Sequence, residues 1–117
     1  MTRAAITAVT VSDNGYNLTD SAGFATMGTG TGNGVSFAYS QRDFLVLKNG
    51  TAGAAVYTIK VPTPAEFSAT GLTVPDETVT VAAAKTWLYP MSAIFKQSGD
   101  NVYVDCDVAA SILVMRQ

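Results

Sequence analysis

Ala55-Val56-Tyr57-Thr58-Ile59-Lys60-Val61 sets Tyr57, Ile59 and Val61 on one side of an extended chain and Thr58 and Lys60 on the other. A period of two marks a strand with one buried face, because successive side chains of extended backbone point in opposite directions. The pattern recurs: Thr78 and Thr80 oppose Val79 and Val81, and Val102 and Val104 oppose Tyr103. Between such stretches lie Asp13-Asn14-Gly15, Asn33-Gly34, Asn49-Gly50, Ala69-Thr70-Gly71, Pro75-Asp76 and Ser98-Gly99-Asp100, while Pro62 and Pro64 end the strand before them. Gly and Asn tolerate the positive backbone angles of tight reversals, so the chain reads as many short strands joined by turns. The expectation is an all-β fold: an antiparallel β-sandwich, jelly-roll-like, with about eight short strands and very little helix, confined to a turn around Pro64 to Ser68.

Length and composition bound the rest. The 117 residues suit a single β domain, 1–117, and with 48% hydrophobic and 14% charged residues the chain can bury a core. Its surface must then be built largely from Thr, Ser, Asn and Gly. Seven basic residues, Arg3, Arg42, Lys48, Lys60, Lys85, Lys96 and Arg116, are scattered along a chain of net charge -2. No basic stripe exists to release counterions from a polyphosphate, so no nucleic-acid partner is expected. No apolar run approaches the ~20 residues of a membrane helix, and the N-terminal residues turn to Thr-Val alternation before a signal-peptide core forms. No membrane partner is expected, and the simplest setting for folding is a cytoplasm.

Two stretches break the alternation. Phe44-Leu45-Val46-Leu47 and Ile112-Leu113-Val114-Met115 are apolar on both faces, whereas a two-sheet sandwich covers one face of each strand. The second face is covered either by the chain's own loops and N-terminal segment or by a neighbouring subunit. Residues 1–11 read as an N-terminal arm or a bulged first strand: Ile6 and Ala8 share one face, Val9 and Val11 the other, so the phase slips between Ala8 and Val9. An arm pairing with the edge of another chain would place Thr2, Arg3, Ile6, Val9 and Val11 at an interface. The two-faced strands add Phe44, Val46, Leu113 and Met115. Trp87 and Tyr89 share a strand face with Leu88 opposite; core filling is the first expectation, and an exposed contact or sugar-stacking platform is the rival.

Chemistry is sparse. There is no histidine, which removes Ser-His-Asp triads, Cys-His pairs and the common zinc sites. Asp76, Glu77, Asp100, Asp105 and Asp107 fall at turns or strand ends, where acidic residues cap and solvate a β protein, and they lack the ordered spacing of a calcium loop. Gly28-Thr29-Gly30-Thr31-Gly32-Asn33-Gly34 has alternate glycines, no following Gly-Lys-Ser or Gly-Lys-Thr, and a strand-like Val35-Ser36-Phe37 in place of a helix, so 28–34 reads as a mobile connecting loop. Cys106, the only cysteine, reads as a small buried hydrophobe. The sequons at Asn17 and Asn49 read as turn residues. No catalytic residue, metal or cofactor is expected, and the chain is not read as an enzyme.

Leu72-Thr73-Val74-Pro75-Asp76-Glu77-Thr78-Val79-Thr80-Val81, leading to Thr86-Trp87-Leu88-Tyr89-Pro90 and closed by Asn101-Val102-Tyr103-Val104-Asp105, carries a resemblance. With Phe44-Leu45-Val46-Leu47-Lys48-Asn49-Gly50 before it and Ile112-Leu113-Val114-Met115-Arg116 after it, the chain from about Arg42 to Arg116 resembles the small capsid decoration, or cement, proteins of tailed bacteriophages. The match is a pattern of strands and turns. It departs at Ala82-Ala83-Ala84-Lys85, where such proteins tend to turn with Pro and Gly. The resemblance implies a virion protein that binds the major capsid protein on the outer shell as a symmetric homo-oligomer, a trimer at a threefold position, and stabilises the shell. A phage tail or fibre subunit and a carbohydrate-binding module using Trp87 and Tyr89 are the alternatives.

Overall fold

The computed structural model describes residues 3–10, 24–63, 69–72, 74–97 and 99–116. Among the described residues, ten strands form a two-sheet sandwich. They are β1 (Ala4–Ala5), β2 (Val9–Thr10), β3 (Ala25–Thr26), β4 (Val35–Ala38), β5 (Asp43–Lys48), β6 (Ala55–Ile59), β7 (Glu77–Val81), β8 (Thr86–Pro90), β9 (Asn101–Cys106) and β10 (Ser111–Arg116). One sheet runs β1-β4-β9-β6-β7; the other runs β2-β10-β5-β8, with β3 also on β10. The expected sandwich is present with ten strands rather than about eight, because three two-residue strands are too short to show a period. Those short strands also bring the two parallel pairings, β1 with β4 and β2 with β10; the other pairs are antiparallel.

Alternation fills the space between the sheets. Val35, Phe37, Tyr57, Ile59, Val79, Val81, Val102 and Val104 come from the first sheet and Leu45, Leu47, Ile112 and Val114 from the second, all buried in one cluster. Fully burying such side chains contributes roughly 1.5–3 kcal/mol each, the main force holding the layers together. Tyr57 lies wholly inside yet carries a hydroxyl, which reaches across to the opposite sheet and donates to Ser111 O at 2.7 Å, with Lys48 O at 3.2 Å. That contact pins β6 against the ends of β5 and β10.

The two apolar-on-both-faces stretches are β5 and β10, paired in the middle of the second sheet. Their outer-face residues Val46, Leu113 and Met115 are buried in a separate small cluster, with Val9, Phe24 and Phe44 packed on it. The cover comes from the same chain, one of the two accounts the sequence left open, so Val46, Leu113 and Met115 are interior positions in this chain and not exposed candidates for an interface. Phe44 is half-buried in that cluster.

The N-terminal segment explains its own phase slip. β1 pairs with β4 in one sheet and β2 pairs with β10 in the other, so the chain crosses the sandwich between Ala5 and Val9. Ile6 and Ala8 pack against the main core, whereas Val9 packs on the outer cluster. Of the two readings, an arm reaching for a neighbour and a first strand of the chain's own sheet, the second fits Arg3, Ile6 and Val9, which are tied into their own domain; Thr2 and Val11 lie outside the described residues. The helical turn expected at Pro64 to Ser68 also lies outside them. Among the described residues the helical turn is a 3-10 turn at Ala93–Phe95, whose N-cap Ser92 accepts from Ile94 N through its hydroxyl oxygen.

Candidate functional site

β7 and β8 are the last strands of their respective sheets, and the turn at 82–85 joins them, so the two sheet ends lie on one flank of the sandwich. The turn forms without Pro or Gly. Ala84 takes a left-handed φ of 62° and donates its N–H to Asn49 O at 2.9 Å, while Lys85 N donates to Ala82 O. Asn49 is buried and its side-chain amide spans the region, donating to Gly53 O and Val81 O at 2.7 and 2.9 Å and accepting from Thr51 N–H and O–H. A side chain so occupied is a turn anchor, in keeping with the turn reading of that sequon.

β8 is largely exposed. Thr86, Trp87, Leu88 and Pro90 are exposed and Tyr89 is half-buried. Trp87 retains 49% of its surface and Leu88 63%, values that overturn core filling for Trp87. The register explains why: Trp87 pairs with Leu47 and Tyr89 with Leu45, so both sit on the core-facing side, but β8 is terminal and only Tyr89 reaches far enough inward to be covered. Its ring meets Phe95 at 6.1 Å between centroids.

Backbone polarity follows from the same register. Asn49 N donates to Lys85 O and Met91 N donates to Asp43 O, so residues 85, 87, 89 and 91 direct their backbone groups toward β5. Thr86, Leu88 and Pro90 alternate with them and direct theirs outward, where among the described residues no strand pairs. Pro90 has no N–H to leave unmet, the usual place for proline on a sheet edge. Apart from that, β8 lacks the charged side chains that normally blunt an edge.

Beside the end of β8 opens a cleft of about 700 Å³, lined by Val61, Pro75, Met91, Ile94 and Phe95 together with Asp76, Glu77, Tyr89, Pro90 and Ser92. Burial and the neighbouring Glu77 carboxylate, which hydrogen-bonds the phenol, raise the pKa of Tyr89. Asp76 is engaged, accepting from Lys60 Nζ at 2.7 Å and Val61 N at 2.8 Å.

The other acidic groups have structural partners too. Asp105, buried in β9, holds the Arg3 guanidinium at 3.0 and 2.8 Å and accepts from Gly32 N and Gly34 N at 3.1 and 3.2 Å. The Arg3 guanidinium also stacks over Tyr103, 4.5 Å from the ring centroid. Asp43 holds Arg116 in the same bidentate manner, Asp107 accepts from Val56 N, and Asp100 pairs loosely with Lys96 at 3.7 Å. Sequence reasoning missed the Asp105 node. Its signal was an acid inside the run Val102-Tyr103-Val104-Asp105-Cys106, because a buried carboxylate demands donors. The Gly-rich stretch supplies them, and it is pinned to β9 rather than loose: Gly30 N donates to Cys106 O, and a Cβ on Gly34 would fall on Val104 O.

Cys106 is buried in the core, and burial pushes its thiol pKa up, away from nucleophilic thiolate character. Among the described residues, no three His, Cys, Asp or Glu side chains converge as metal ligands, and no helix is long and apolar enough to cross a membrane. Among the described residues, the β8 edge and its cleft are left without an internal role. Comparison with family models, with curated proteins and with solved structures finds no match to this chain.

Proposed function

We propose that the chain is a non-catalytic assembly subunit, a capsid decoration protein that binds the major capsid protein on the outer shell of a tailed bacteriophage and stabilises it as a symmetric homo-oligomer. The observation that carries the assembly role is β8, an uncharged terminal strand presenting Trp87, Leu88 and outward backbone groups. Edges of this kind are templates for another chain. The capsid location is supported by the resemblance across Arg42 to Arg116. The two carboxylates at the cleft are each engaged by the chain itself, Asp76 by Lys60 Nζ and Val61 N and Glu77 by the Tyr89 phenol, which supports a non-catalytic reading. The mechanism is mass action: a protein that binds the assembled lattice but not its separated subunits shifts the equilibrium toward assembly.

Gold-labelled antibody against the chain, applied to virions and viewed by electron microscopy, tests the location. Label over the shell is expected. Label confined to the tail would transfer the reading to a tail or fibre subunit, and unlabelled virions with glycan binding retained by Trp87 would transfer it to a carbohydrate-binding module.

A further inference from the structure

We infer that β8 pairs antiparallel with β8 of a second copy, about a two-fold axis through Trp87. This contact does not depend on which shell, tail or glycan the assembled protein meets, and it is a two-fold contact rather than the threefold that the resemblance implies. The outward backbone groups of Thr86 and Leu88 fix the register. With Trp87 opposite Trp87, Thr86 of each copy faces Leu88 of the other and all four N–H groups find carbonyls. Pro90 then falls opposite Ala84, whose N–H is already given to Asn49 O, so this outer pair makes no bond and its carbonyls stay open to solvent at the ends of the ladder. Centring the pair on Leu88 instead would set Thr86 against Pro90 and strand the Thr86 carbonyl.

The side chains agree with that register. Residues directly opposite in an antiparallel pair project to the same face, so the two Trp87 rings meet at the axis, a favourable cross-strand aromatic pair. Lys85 shares the face of Trp87 and Tyr89 and comes to lie opposite Tyr89 of the other copy. Tyr89 hydrogen-bonds the Glu77 carboxylate in the cleft. Lys85 is exposed and, among the described residues, in no salt bridge, and neither is Glu77. The pairing thus brings a cation that has no carboxylate to a carboxylate that has no cation, twice by symmetry. Two-fold closure also consumes both edges, so the assembly stops at a dimer and does not grow into a fibre.

Light scattering and sedimentation of the full chain from micromolar to submillimolar concentration test this. A species of twice the 12.2 kDa chain mass is expected. Leu88→Pro removes an N–H that β5 does not use, so it should give a monomer with an unchanged circular dichroism spectrum. Lys85→Glu should weaken the dimer about tenfold through its two symmetric pairs, and Lys85→Glu combined with Glu77→Lys should restore it. A monomer or trimer of the wild-type chain overturns the inference, as does a Lys85→Glu chain that dimerises as tightly as wild type. If Leu88→Pro fails to fold, the charge-swap pair still decides. Loss of virion labelling with the dimer intact would fault the decoration reading alone.

Discussion

A buried carboxylate with four donors organises one end of the molecule. Asp105 joins the N-terminal Arg3, the Gly-rich stretch and strand β9, segments up to 102 residues apart in sequence. Its removal leaves the buried Gly34 N–H and the Arg3 guanidinium without their acceptor, so Asp105→Ala should cost about 3 kcal/mol in denaturant melts. Burial by itself would raise the pKa of this carboxyl, but Arg3 and the Gly32 and Gly34 N–H groups hold it below the ordinary value. A depressed folded pKa adds stability above the unfolded value of about 3.9, and that stability disappears as pH falls through the lower folded value. Asp105→Asn should therefore flatten the acid limb of stability against pH; an unchanged limb would show that another carboxylate governs it, Asp76 being shifted in the same direction. None of this was readable from spacing, because a partner a hundred residues away leaves no local pattern. What was readable was the anomaly of an acid in an apolar strand.

At the level of strands and turns, sequence spoke clearly where side-chain period carried the information. Residues 55–61, 78–81 and 102–104 alternate as expected, and the slip at Ala8–Val9 marks where the chain changes sheets. Position within a sheet is not encoded by period: Trp87 has the phase of a core residue and the exposure of an edge residue, since pairing order is decided by the whole chain. Likewise the cover over Val46 and Leu113 comes from the chain itself, a result that pattern alone left open. The turn at 82–85 is the weak point of the β7–β8 connection. An alanine in the left-handed region carries about 1–2 kcal/mol of strain, partly offset by the greater unfolded-state freedom of glycine. Ala84→Gly should accordingly stabilise the fold by about 0.5–1 kcal/mol, and a melting temperature that falls would mean that Asn49 O no longer receives the residue 84 N–H.

For the molecule as a whole, the path of residues 3–10 sets how it carries force. β1 and β2 each run parallel to the strand they join, β4 in one sheet and β10, the last strand of the chain, in the other. In a parallel pair the leading end of one strand and the trailing end of the other point in opposite directions. Tension applied between the chain's two ends therefore acts along the β2–β10 ladder in shear, so that its bonds share the load instead of unzipping one by one. The crossing between Ala5 and Val9 makes the same stretch a strap holding both sheets under load. Pulled end to end in an optical trap, the intact domain should rupture at a higher force than one gripped at Lys48 and Ala55, where β5 and β6 would peel from their neighbours. A domain built this way resists stretching best when its two ends are the points that are held.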